Sequence, residues 1–358
     1  MKRSLLLVLQ LLSLAVFGQS ERQDRPLHVS GYLEAYYLYD FGKPDDHTRP
    51  SFVYAYNRAN EVNINLGLIR LSYVEERFRA NLALAAGTYM NANYAAEPGV
   101  LQNLYEANVG VKLSKEANLW VDAGVFASHI GFESAIGKDC WNLTRGMLAD
   151  NSPYYEAGVK FGYTSPSEKW YIAFLVLNGW QRIQRVDGNH TPAFGHQLTY
   201  WPNERVTLNS SSFVGNDKPD SVRQMRYFHD LYGIFQLTPK LGLTAGFDIG
   251  WEQVSKGSAM YNTWYTPILM LRYVFTEKTA AALRVEYYSD DNHVIVATGS
   301  PNRFRTWGYS ANIDWQVNKF VLWRTEFRGF NGQQGTFVKN GQPSSSNFAL
   351  TTALAVSF

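Results

Sequence analysis

The sequence predicts an all-β fold, a transmembrane antiparallel β-barrel of about 16 strands with short periplasmic turns and long extracellular loops. Three observations predict it. Tight polar turns alternate with much longer polar stretches along the chain. The intervals between them alternate apolar with polar residues at period two, the mark of a strand with two different faces. The chain also begins with an export leader and ends in an amphipathic strand closed by Phe358.

The tight turns fall at Glu75-Glu76, Ser114 to Ala117, Thr164 to Ser167, Pro202 to Glu204, Thr238 to Lys240, Thr276 to Thr279 and Val317 to Lys319. Strand patterns occupy 28–40, 59–74, 77–90, 104–114, 117–128, 153–164, 168–178, 194–202, 205–215, 224–237, 240–253, 262–275, 278–288, 304–316, 319–330 and 346–358. The count is even, so both termini fall on the periplasmic side. Fourteen is the alternative count, because 194–202 is short and Pro267 removes a ladder donor from 262–275, which implies a bulge. The alternation is clearest late in the chain. Leu283, Val285 and Tyr287 share one face while Arg284, Glu286 and Tyr288 share the other. Trp323, Thr325 and Phe327 likewise alternate with Arg324, Glu326 and Arg328. A soluble sandwich or propeller would bury those charges in its core. Aromatic residues also gather near strand ends (Tyr163 and Trp170, Tyr273 and Phe275, Trp315 and Phe320), as interfacial girdles do.

Composition agrees with export to a membrane. Lys2 and Arg3, then Leu5 to Phe17, then Gly18-Gln19-Ser20 form a secretory signal peptide over residues 1–20, leaving a barrel domain over 21–358. The mature chain carries 31 Lys plus Arg, two fewer than the 33 of the whole chain, against 31 Asp plus Glu. That neutrality argues against a nucleic-acid partner. The single Cys140 excludes an internal disulfide, and the expectation for it is a small residue packed in a loop. The chain contains no 18-residue apolar run after the leader, so no helical span is expected.

In the last strand Phe348, Leu350, Thr352, Leu354, Val356 and Phe358 line one face. A terminal Phe resembles the signature that the outer-membrane assembly machinery reads on its clients. Gly31-Tyr32-Leu33-Glu34-Ala35-Tyr36-Tyr37 opens the barrel, and the block from Gly124 to Gly162 holds His129-Ile130-Gly131-Phe132-Glu133, Asn142 to Arg145 and Pro153 to Gly158. With these segments the chain resembles the β-barrel porin-2, OmpL-like family over most of its mature length. The resemblance implies a channel in the outer membrane of a Gram-negative cell, in contact with its lipids and lipopolysaccharide.

Inward faces carry both signs of charge. Arg272, Arg284, Arg324 and Arg328 come from late strands, and Glu34, Glu106, Asp122 and Glu156 from early ones. Opposed basic and acidic arcs would set a transverse field across a hydrated lumen for small polar solutes. The alternative for each residue is a wall ladder that pairs with neighbours. The longest interval, the 24 residues from His129 to Ser152, forms the third outer loop. Layout similar to trimeric general porins suggests that it folds inward, with Glu133, Lys138, Asp139, Arg145 and Asp150 at a constriction and Trp141, Leu143 and Met147 anchoring it. A flap over the mouth is the competing arrangement. No nucleophile motif, phosphate loop or metal-ligand spacing occurs, so no enzyme, cofactor or metal is expected. Three Asn-x-Ser/Thr matches, at Asn142, Asn189 and Asn209, are chance matches in a bacterial setting. Among other function classes, an outer-membrane receptor or adhesin with an occluded lumen is the alternative. A homo-oligomer is compatible with several lipid-facing flanks.

Overall fold

The computed structural model describes residues 26–299 and 302–358. The proposed leader, residues 1–20, lies outside the described residues. Sixteen strands close into one antiparallel barrel. In chain order they are β1 (Leu27–Asp40), β2 (Val62–Val74), β3 (Phe78–Ala86), β4 (Leu104–Lys112), β5 (Asn118–Ala127), β6 (Tyr155–Thr164), β7 (Trp170–Leu177) and β8 (Ala193–Asn203). There follow β9 (Val206–Gly215), β10 (Arg226–Gln236), β11 (Leu241–Gln253), β12 (Tyr261–Val274), β13 (Thr279–Asp290), β14 (Phe304–Gln316) and β15 (Val321–Gly332). A short hairpin, β16 (Phe337–Lys339) with β17 (Gln342–Ser344), stands outside the wall, and β18 (Ser346–Ser357) completes it. Closure is direct: β1 pairs with both β2 and β18, with Tyr32 opposite Ser357 and Asp40 opposite Ala349. A closed ladder satisfies every strand edge, which lipid demands. No described helix is long and apolar enough to cross a membrane.

The face assignment follows the sequence pattern. Leu283 and Val285 are 55% and 42% exposed on the outer surface, while Arg284 and Glu286 between them are 2% and 1% exposed toward the interior. Outward aromatics pair across strands near both rims. Trp170 stacks on Tyr200 and Trp315 on Trp323 near the short turns; Tyr287 packs on Trp307 near the long loops.

Two local expectations are corrected. The third strand ends at Ala86, and Thr88–Asn93 forms the short helix α1 instead of extending the strand to residue 90. Gly87, at φ 135, breaks the extended run, and Tyr89 and Met90 turn into the interior, each 1% exposed. Pro267 makes no bulge. Its ring faces outward opposite Phe247, and the β12–β13 ladder skips Thr266 and Pro267 and resumes in the same register, Tyr265 with Ser289 and Ile268 with Glu286. The strand tolerates one missing donor without slipping because a one-residue slip would turn every neighbour to the wrong face.

Candidate functional site

The third long loop, between β5 and β6, turns into the barrel. Its root is tied to the wall. The His129 imidazole Nε2 lies 2.8 Å from the Ser212 carbonyl, and Ser211 Oγ donates to the His129 carbonyl at 2.8 Å. Ser128 Oγ accepts from the Ile130 N–H at 3.1 Å, and Gly131 adopts φ 82, a left-handed bend that glycine takes without a Cβ penalty. The chain then lies on β11 at two inward glycines that flank Thr244. A Cβ at Gly246 would come within 2.9 Å of the Phe132 ring, and one at Gly242 within 2.8 Å of Trp141. The expected anchors Trp141, Leu143 and Met147 are all buried, at 6%, 0% and 0% exposure.

The far side of the loop is bound to β13, β14 and β15 by ionised side chains. Arg324 holds Asp314 at 2.7 Å and donates to the carbonyls of Gly137 (2.7 Å), Cys140 (3.0 Å) and Trp141 (2.9 Å). Arg284 donates to the Thr144 carbonyl at 2.6 Å. Glu326 accepts from the Thr144 N–H at 2.8 Å and from its hydroxyl at 2.5 Å. Arg328 reaches the same hydroxyl at 3.2 Å and Glu286 at 3.0 Å, and Glu286 accepts from the Met147 N–H. Buried charges persist only when paired and hydrogen-bonded, and the backbone of the loop supplies the missing partners. Thr144 is therefore the central peg. The sequence reading missed it and the glycine strip; two glycines four apart on one strand face were the available signal.

The proposed constriction residues divide. Glu133 accepts from the Gly146 N–H at 2.7 Å, and Arg145 donates to the carbonyls of Ser134, Leu143 and Ala135 at 2.6, 2.6 and 3.1 Å. Both are buried and cross-link the loop to itself. Burial raises the carboxyl of Glu133 above its usual range and pushes Asp150 up to about 7. The Cys140 thiol, 5% exposed, is pushed up to about 12 by burial, which leaves it unreactive. Lys138 and Asp139 pair at 3.4 Å and stay partly exposed. They border a cavity of about 360 Å³ at the short-turn end, together with Tyr32, Leu68, Arg70 and Ile136.

The wall charges also divide. Arg284, Arg324 and Arg328 are sealed under the loop, whereas Arg272 remains half-buried. Glu34, 0% exposed, accepts from Asn65 Nδ2 at 3.0 Å, and Glu156 is equally buried with no hydrogen-bond partner on either oxygen among the described residues. Glu106 and Asp122 meet cations instead: Arg70 at 3.1 Å and Arg79 at 2.6 Å, the latter also lying over Trp120 at 4.3 Å. Lys112 and Lys160 are half-buried beside them, Lys160 over the Phe126 ring at 4.8 Å. The long-loop half of the interior is packed with side chains from other loops. Phe52 meets Phe304, Phe330 and Phe337, and Tyr94 stacks on Tyr155 at 4.0 Å.

This architecture is shared with solved outer-membrane proteins. OmpT of Vibrio cholerae in its trimer form superposes with a TM-score of 0.61 at 9% identity, covering 94% of this chain and 100% of that one. The anion-selective porin from Comamonas acidovorans matches with TM-score 0.61 at 8% identity (93% and 99% covered). The outer membrane channel DcaP of Acinetobacter baumannii matches with TM-score 0.61 at 10% identity (93% and 97%). At such identities the likeness shows the fold alone. No curated protein matches the chain. The family model described as "Putative beta-barrel porin-2, OmpL-like" matches residues 26–358. With its closed barrel, charged interior and inward third loop, the chain belongs to the β-barrel porin-2, OmpL-like family and is an outer-membrane porin.

Proposed function

We propose that the channel conducts small polar solutes along the early-strand wall, with the inward loop as its constriction. The observation that carries this reading is the asymmetric filling of the lumen. The loop covers β12 to β15, so the half-buried polar side chains that remain belong mainly to β2 through β8: Arg70, Arg79, Asn81, Lys112, Lys160 and Gln197. On that side the acids are matched, Glu106 by Arg70 and Asp122 by Arg79, and Asp139 on the loop by Lys138. Among the described residues no carboxylate forms an ion pair with Lys112, Lys160 or Arg272, so the passage carries a positive surplus that favours anionic solutes. Residues 1–20 direct export, and Phe358, 72% exposed at the periplasmic rim, is the handle for the assembly machinery. Outer-membrane lipids and lipopolysaccharide cover the apolar outer band.

Planar-bilayer recording of the refolded mature chain tests the reading. Discrete ion steps with a reversal potential displaced toward the anion are expected. A barrel that keeps its heat-modifiable gel mobility yet passes no current would favour a receptor with an occluded lumen.

A further inference from the structure

Beneath the root of the loop, three neighbouring strands place oxygen atoms side by side with too few donors to serve them. Asp230 on β10 stands opposite Asp248 on β11, and Asp248 stands opposite Thr266 on β12. All three face the interior and are 0%, 1% and 2% exposed. Asp230 Oδ2 accepts from Asn209 Nδ2 at 3.1 Å. The Asp230 and Asp248 carboxyls lie within reach of each other and the Gly131 N–H lies within reach of Asp230, but Asp230 Oδ1, both oxygens of Asp248 and Thr266 Oγ1 lack a hydrogen bond of good geometry among the described residues. Arg226, the cation on the same strand, is committed to Asp217 and Glu252. The loop closes the place from the lumen side: Ser211, opposite Asp230, holds the His129 carbonyl, and Phe132 packs on Tyr232 and over Gly246.

We propose that Asp230, Asp248 and Thr266 bind a hard divalent cation of the calcium class, locked behind the loop root. Two carboxylates side by side out of water repel each other unless a positive charge or a proton lies between them. A shared proton would join one oxygen of each carboxylate and leave a further Asp248 oxygen and the threonine hydroxyl unserved. A cation serves all four. Donors that are entirely oxygen, with carboxylates supplying the charge, suit calcium, whose flexible shell of about 6–8 oxygens accepts backbone carbonyls and water for the remainder. The β12–β13 ladder skips Thr266 and Pro267, which leaves backbone groups beside Thr266 outside the sheet bonding. Among the described residues no three His, Cys, Asp or Glu side chains gather as a metal cluster. The hydroxyl of Thr266 takes the third place. The ion neutralises the wall on which the loop root rests, so its role is to hold the loop in the barrel.

The test uses the mature chain refolded in detergent without lipopolysaccharide, stripped with EDTA and then equilibrated with calcium chloride. Equilibrium dialysis should find one tightly held calcium per chain, and calcium should raise the midpoint of the heat-modifiable gel transition. Asp248→Asn and Thr266→Val should each bind calcium about tenfold more weakly or worse, while still giving ion steps in bilayers. Wild-type protein that holds no calcium, or variants that bind it as wild type does, would overturn the proposal. A midpoint identical in EDTA and calcium would do the same, and would identify a shared proton. Should Asp248→Asn fail to refold, Thr266→Val, which keeps its shape and removes only the hydroxyl, decides the question alone.

Discussion

On β13 and β15 the side chains of Arg284, Arg324 and Arg328 are at most 2% exposed, whereas those of Arg70 and Arg79 on β2 and β3 keep 31% and 25%. The chemistry of the two arcs is alike, with arginines facing the interior and acids within reach. Their environments differ because the loop lies on one arc only. Under the loop, each guanidinium is dehydrated and takes its hydrogen bonds from carboxylates, loop carbonyls and the Thr144 hydroxyl, with the Nε of Arg284 and of Arg328 left without one. Across from it, the guanidinium groups keep access to solvent, although the Arg79–Asp122 pair is just as short, at 2.6 Å. An inward charge in this barrel is thus sealed or open to solvent according to what lies over it.

The largest effect expected comes from breaking the dry arc. Replacing Arg324 and Arg328 together by Ala leaves Asp314 with only the Asn312 amide and Glu286 with Arg284 and the Met147 N–H, and frees the loop, at a cost of about 3–5 kcal/mol per broken buried pair. Unitary conductance should rise severalfold and become noisy, with earlier unfolding in urea. Unchanged current and unchanged unfolding would show that the loop is not held by this arc. Thr144→Ala, which removes only the central hydroxyl, should cost about 1–3 kcal/mol and open the channel intermittently.

The hydrated arc should respond in the opposite way. Lys112→Glu with Lys160→Glu should move the reversal potential toward cations and leave urea unfolding nearly unchanged. Loss of stability comparable to the arginine variant would erase the distinction between the arcs.

Acidity should produce the smallest shift. Asp150 is pushed up to about 7 in the packed loop by burial, with Arg328 and Arg145 opposing that rise and Glu133 adding to it. In water its carboxyl would titrate near 3.9. The packed loop therefore binds more protons than a released one between these values, and its stability falls as pH rises toward 7. His129, held down to about 4 by burial, acts with the reverse sign below its ordinary value near 6.5. Conductance should accordingly decline from pH 8 to 6.5 as Asp150 protonates, then level or recover under stronger acid. Asp150→Asn should abolish the first limb in recordings across that range. A decline that persists in the variant assigns it to another group.

Much of the wall was legible in the chain. Every one of the sixteen strand intervals appears within a few residues of its expected place, because period-two alternation and turn chemistry are local and a register slip would invert both faces. The inward direction of the loop was only suggested by layout, and nothing local could supply more: Gly242 and Gly246 lie about a hundred residues from the rings they receive. Arg324 and Arg272 read identically as inward arginines, although only Arg324 is sealed under the loop.

The alternating turns and loops, the faces of Leu283 to Tyr288 and the closing strand to Phe358 determined by themselves a membrane barrel, with a count of sixteen strands favoured over fourteen. Which charges meet water was decided only by the tertiary structure. Hydration depends on atoms from distant segments lying over a side chain, here the carbonyls of Gly137 to Trp141 and the hydroxyl of Thr144, and no local pattern encodes that covering.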